Sequence, residues 1–249
     1  MFIPLRAHVP MDRRPWANYA ILLATITCSV VGFLDPAIIL GLSGYEVVPR
    51  PEPAGEDAAA LEYLFPRPPT FRQTLPAPVA AVTSTLVHAG WAHLAANMLF
   101  LWVFGNAVNY KLGQGKYVLL YVLAALVSGL AHHVLRGGPA VGASGAVYGV
   151  VGVFLVFFPR NDVTAVWFYA IFWLRTFTLS SVWVILYWVG WDVLFLVLGS
   201  KGRVGYEAHV GGFATGFALG LLLAAGRWVR PHEDEQTLLQ LLGIPARSR

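Results

Sequence analysis

The sequence predicts an all-α membrane protein, a single bundle of six transmembrane helices. Two observations carry this. Of the 249 residues, 57% are hydrophobic and only 12% are charged, against roughly 25% charged in an average soluble domain. The mean hydropathy is +0.62. Uncharged stretches near the ~20 residues needed to span a bilayer also recur along the chain. So few charges could not cover a soluble domain of this size. That excludes an ordinary cytosolic enzyme and a disordered protein. The net charge of +4 comes from 17 scattered basic residues with no run among them, so a nucleic-acid partner is not expected. A lone cysteine, Cys28, excludes an intrachain disulfide and a Cys-based metal site. No metal and no cofactor are expected.

The elements follow in order. Residues 1–15 read as a cytoplasmic N-terminal segment, and 16–228 as the membrane domain. The first span is Trp16 to Leu34. It follows Arg6, Arg13 and Arg14 as a signal peptide would, but it is longer than a signal core and no small-residue cleavage site follows, so it reads as an uncleaved helix. Residues 35–78 form the one long loop, rich in proline (Pro49, Pro51, Pro53, Pro66, Pro68, Pro69) and in acids such as Glu46, Glu52, Glu56, Asp57 and Glu62. The second span is Leu86 to Tyr110, the third Tyr117 to Leu135 and the fourth Val141 to Phe158. Val163 to Leu174 is apolar but too short to span, and reads as an interfacial or re-entrant piece. Thr176 to Gly199, interrupted by Asp192, is the fifth span, and Ala208 to Gly226 the sixth. Residues 229–249 read as a cytoplasmic tail, in which Leu238, Leu239, Leu241 and Leu242 suit an amphipathic helix.

Basic residues in short loops orient such a bundle. Six spans put both termini on one side. That side would hold 11 basic residues and the other side 6. The termini are therefore expected in the cytoplasm, and the loop 35–78 outside. The second, fourth and sixth spans then start near the outer surface.

Polar side chains within a bilayer are costly and mark functional sites by default. The second span carries His88, His93 and Asn97. The fourth opens Gly142-Ala143-Ser144-Gly145, and the sixth opens Ala208-His209-Val210-Gly211-Gly212. All lie near outer ends, at matched depth. A serine and a histidine at one depth on packed helices can serve as nucleophile and general base. The amide of Ser144 at a helix N-terminus, with His93 and Asn97, would donate to a developing oxyanion. Gly142 and Gly145 let the backbone turn and a substrate approach. Gly212, Gly216 and Gly220 on the sixth span, with Gly145, Gly149 and Gly152 on the fourth, form small-residue faces for close packing. Tyr148, one turn below Ser144, could pack on the His209 imidazole. Taken singly, each feature has a plainer reading: a helix contact, a buried hydrogen-bonding histidine, a packing stripe. Their coincidence at one depth resists that reading.

At these residues the sequence resembles the rhomboid family of intramembrane serine proteases. The stretch from His88 through His93 and Asn97 to Gly105, closed by Lys111-Leu112-Gly113, is similar to that family's second-helix signature. Gly142 to Gly149 is similar to its nucleophile motif, and Ala208 to Gly216 to its base motif. The resemblance runs from about residue 16 to 228 and implies a six-helix rhomboid-like bundle. It implies Ser144 as nucleophile and His209 as base, a dyad with no acidic third member. It also implies His93, Asn97 and the Ser144 amide as oxyanion donors and Tyr148 as a platform under His209. Asn109 stands near a place where the family often has an acid, and the first loop lacks a Trp-Arg pair that some members carry.

The implied partners are the lipid bilayer and transmembrane protein substrates, cut near the extracytoplasmic end of their helix. The implied location is a cell membrane, and the excess of arginine (14) over lysine (3) points to a bacterial one. Two rival readings stand beside this: a catalytically silent binder of transmembrane helices, and a transporter using Asp192, His132 and His133. Against the transporter, no inverted repeat is visible. Asp192 is expected to be structural, and His132 and His133 interfacial. The topology is directly testable: reporters fused at the C-terminus should report cytoplasm and reporters within 35–78 the opposite side. A C-terminus found outside would overturn the orientation.

Overall fold

The computed structural model describes residues 2–49, 69–169, 173–200, 202, 204–226, 228–229 and 235–244. In chain order the elements are β1 (Phe2–Ala7), α1 (Trp16–Leu34), α2 (Pro36–Ser43), β2 (Tyr45–Val47), β3 (Phe71–Gln73) and α3 (Ala77–Thr83). After a 3₁₀ turn at Ser84–Leu86 come α4 (Trp91–Leu112), α5 (Gln114–Leu135), α6 (Ser144–Phe157), β4 (Asp162–Tyr169), β5 (Trp173–Ser180), α7 (Ser181–Val197), α8 (Tyr206–Ala225) and α9 (Leu238–Leu241). The molecule is a mainly helical bundle, as its composition requires. Helices α1, α4, α5 and α8 are long and apolar enough to cross a membrane. The other two of the six, α6 and α7, have 14 and 17 residues.

Helix α6 sits at the centre, and every residue from Gly145 to Phe157 is buried. At 1.5 Å per residue it covers about 21 Å, less than the ~30 Å of a hydrocarbon core. A helix enclosed by protein need not reach either surface, so its first residue, Ser144, can start below the membrane face. Glycines set how closely the neighbours approach. A Cβ at Gly212 would lie 1.9 Å from the carbonyl oxygen of Gly145, and one at Gly216 would lie 1.7 Å from that of Gly149. A Cβ at Gly152 would meet Phe213 O at 2.5 Å. Helices α6 and α8 are thus in backbone contact along three turns. Gly145 and Gly149 also face α5, where a Cβ would meet Ser128 Oγ or Ala124 Cβ at 2.3 Å. The stripe expected to join two helices joins three.

Helix α4 is not regular throughout. Leu101–Gly105 form a π turn, which frees a carbonyl. Asn18 of α1 takes it, donating to Leu101 O at 3.0 Å and to Asn106 Oδ1 at 2.8 Å, and accepting from the Tyr117 hydroxyl. A Cβ at Gly105 would strike Asn18 Oδ1 at 2.7 Å, so glycine there makes room for this joint. Asn109 accepts from the backbone N–H of Asn18 at 3.0 Å.

Three expectations are corrected. Val163 to Leu174 is not a re-entrant piece. Its β-branched and aromatic residues suit a strand, and β4 pairs antiparallel with both β5 and β1, giving the order β1-β4-β5. The N-terminal segment is accordingly tied to the bundle: Phe2 packs on Tyr187 of α7, ring centroids 4.5 Å apart. The fifth helix starts at Ser181 rather than Thr176, because residues 176–180 belong to β5. The second starts at Trp91 rather than Leu86, so His88 lies ahead of it.

Within the first loop, α2 is capped by Asp35, which accepts from Ala37 N at 3.0 Å, and a small β2–β3 hairpin follows. The prolines Pro51, Pro53, Pro66 and Pro68 lie outside the described residues. In the tail, Thr237 and Gln240 form a capping box at α9, and Glu235 pairs with Lys111, whose ammonium stands 5.7 Å over the Phe158 ring.

Backbone contact leaves no room for a side chain. Gly216→Ala should therefore destabilise the bundle by at least the ~1–3 kcal/mol typical of overpacking. Gly190→Ala on α7, where a Cβ meets nothing within 4 Å, should be neutral. Unfolding of both purified variants in detergent checks this; equal stability would contradict it.

Candidate active site

The N-terminal ends of α4, α6 and α8 converge on a cavity of about 1100 Å³, closed on a further side by α7. Ser144, His209, His93, Asn97, Tyr148, Gly142 and Gly145 all line it. The sequence proposed these seven together, and the packing brings them together. Gly212 and Gly216 stand behind the site, in the α6–α8 seam.

Ser144 is the first residue of α6 and is half-buried. The first backbone donor to bond back into the helix is Val147 N–H, to Ala143 O at 2.9 Å. The N–H groups of Ser144, Gly145 and Ala146 precede it and have no intrahelical acceptor. They present positive ends of peptide dipoles beside the serine. His209 stands one turn into α8, three residues before the Gly212–Gly145 contact. That contact brings the histidine's turn against the serine's.

His209 is held on two sides. Its ring stacks on Tyr148, centroids 4.4 Å apart and planes 11° from parallel. Its Nδ1 is 2.9 Å from Oδ2 of Asp192 on α7. Tyr206 meets it edge-on, with the planes at 85°. Tyr148 lies one turn below Ser144 on α6. Asp192, the acid expected to be structural, has its carboxylate on the histidine. The signal was present in the sequence as an acid within an apolar span, but nothing there assigned its partner.

The loop entering α6 is pinned from α4's side. Gly142 N–H bonds to Ser84 O at 3.0 Å. Gly142 has φ +116°, and a Cβ on it would sit 2.5 Å from Cε1 of His93. Glycine is needed here for both backbone and space. Ala143 N–H donates to Nε2 of His88 at 3.3 Å. His88 Nδ1 then donates to Ser29 Oγ at 3.0 Å, whose hydroxyl donates to Leu86 O at 3.1 Å. This one-way chain leaves His88 neutral and ties α1 to the residue before Ser144. Sequence by itself assigns His88 no partner. Asn97 spends one N–H on His93 O at 3.0 Å and keeps a second available to the cavity. His132 is buried, with Nδ1 2.8 Å from Glu207 Oε1. His133 is exposed.

Fold and site together define a multi-pass helical membrane protein with a serine and a histidine in one cavity at its helix ends. A model of the rhomboid domain matches residues 77–226, more than half of the chain. The chain belongs to the rhomboid family. It is 32% identical over 140 residues to the rhomboid protease GluP of Bacillus subtilis, covering 56% of this chain and 26% of that one. It is 33% identical over 137 residues to the rhomboid protease GlpG of an Enterobacter species, covering 55% and 45%. It is 31% identical over 172 residues to the mitochondrial rhomboid protein 1 of Saccharomyces cerevisiae, covering 60% and 47%. The chain thus spans less than half the length of these relatives.

A side chain at Gly142 would need both a left-handed backbone and a displaced His93. Gly142→Ala should lower stability by about 1–3 kcal/mol through backbone strain. Unfolding in detergent, compared with Gly138→Ala, where a Cβ meets nothing within 4 Å, separates strain from the clash with His93: both should lose stability, Gly142→Ala more. Equal losses would contradict the clash.

Proposed function

We propose that this chain is an intramembrane serine endopeptidase that cuts transmembrane proteins near the extracytoplasmic end of their helix. The observation that carries the reading is the convergence of Ser144 and His209 on one cavity, across a seam of glycines too tight to shift. Membership of a family whose relatives bear the name protease supports it.

In this reading Ser144 Oγ attacks the scissile carbonyl carbon while His209 Nε2 accepts the hydroxyl proton. The carbonyl oxygen becomes an oxyanion, stabilised by the Ser144 amide, Asn97 Nδ2 and His93. His209 then passes its proton to the departing amine, and the peptide bond breaks, leaving an ester on Ser144. Water attacks that ester, giving a proton to His209, which returns it to Ser144 as the acid product leaves. The cavity admits the water that this second half requires. Tyr148 keeps the imidazole in place throughout. The proposed setting is a cell membrane with both termini cytoplasmic. The membrane domain would run from 16 to 228, between the segments 1–15 and 229–249.

Purified protein in liposomes, given a labelled transmembrane substrate, tests this. Ser144→Ala and His209→Ala should each abolish cleavage, and the double variant should be no worse, because the two act as one unit. His93→Ala and Asn97→Ala should each lose about 10²–10³-fold in rate, the scale of one oxyanion donor. A fluorophosphonate should label the wild type and not Ser144→Ala. Cleavage by Ser144→Ala at the wild-type rate would overturn the proposal.

A further inference from the structure

We propose that Asp192 is a positioning residue for His209, making the serine–histidine pair of this chain a triad assembled from α6, α7 and α8. The inference rests on the proposed protease reading. Its basis is the 2.9 Å contact between Asp192 Oδ2 and His209 Nδ1, with both side chains about nine-tenths buried. An ionised carboxylate only accepts hydrogen bonds, so Nδ1 must carry the proton. The lone pair is then on Nε2, the nitrogen left to take a proton from Ser144. The geometry selects the one neutral tautomer that can act as base.

The other groups around the imidazole do not compete for this role. Tyr148 covers one face of the ring. Tyr206 meets the ring edge-on. His93 faces it across the cavity. Asp192 is the only acid on α7. A buried carboxylate in a membrane segment is costly unless paired, and the partner it has is the base.

The placement also makes the base depend on α7. That helix buries only five of its 17 residues, Asp192 among them. When α7 stands away from α8 the pair is broken, so the histidine is oriented only while α7 is packed in place.

Asp192→Asn keeps the size of the side chain but removes the charge that holds the proton on Nδ1, and its amide N–H can instead face Nδ1, which puts the proton on Nε2. In reconstituted enzyme, kcat should fall about 10²–10⁴-fold with KM little changed and the protein still folded. A residue that merely filled space would tolerate asparagine. Independently of any folding defect in that variant, ¹⁵N shifts of the histidine rings in wild-type protein report the tautomer. The His209 signal, assigned by its loss in His209→Phe, should show Nδ1 protonated and Nε2 bare. Wild-type kcat in Asp192→Asn, or a His209 with its proton on Nε2, overturns the proposal. If instead Ser144→Ala still cuts, the protease reading falls, whatever the tautomer.

Discussion

The bundle depends on the backbone of α6 lying directly against the backbone of α8. The Gly145 and Gly149 carbonyls occupy the space that side chains at Gly212 and Gly216 would need. In lipid, no hydrophobic driving force separates helix–helix from helix–lipid contact, so close packing of small residues has to supply the association. In the proposed reading it also serves the chemistry. Ser144 and His209 are the residues just outside the seam, and side chains as short as serine meet across helices only when the backbones nearly touch. Both line the one cavity that the seam adjoins.

Around that seam, several buried polar groups are paired in directed chains. Asn18 joins α1, the π turn of α4 and Tyr117 of α5. His88 relays from the amide before Ser144 to Ser29 on α1. Glu207 takes His132. In a membrane an unsatisfied polar group has no water to turn to, so each such group constrains its partners' geometry. The result is that the loop carrying Gly142 and Ala143 is held from two directions, and the N-terminus of α6 starts at a defined point below the helix ends. Its short length is tolerated because protein covers it on every side.

Much of this was legible in the chain. The boundaries Trp16 and Leu34 of α1 read directly, because charges and Pro15 stop the apolar run on one side and Asp35-Pro36 on the other. The three motifs holding Ser144, His209 and the pair His93–Asn97 were also legible, because polar residues in an apolar stretch stand out against the cost of burying them. The β1-β4-β5 sheet was not. Residues 163–180 are apolar without a clear period, and whether such a run becomes helix or strand is decided by what pairs with it. Its partner on one side is Phe2–Ala7, about 160 residues away.

Asp192 marks the same boundary within the site. Sequence showed an acid in a membrane helix, and with it a need for a partner; it could not say which one. Seventeen positions along the chain, the loop between α7 and α8 among them, separate Asp192 from His209, and only the packing of α7 on α8 brings the carboxylate to Nδ1. Composition and pattern by themselves determined a helical membrane protein with a serine and a histidine at matched helix ends, because helix length, hydropathy and small-residue spacing are local quantities. Which acid faces the histidine and where the chain turns to strand were decided by tertiary structure, because those depend on groups distant in sequence meeting within about 3 Å.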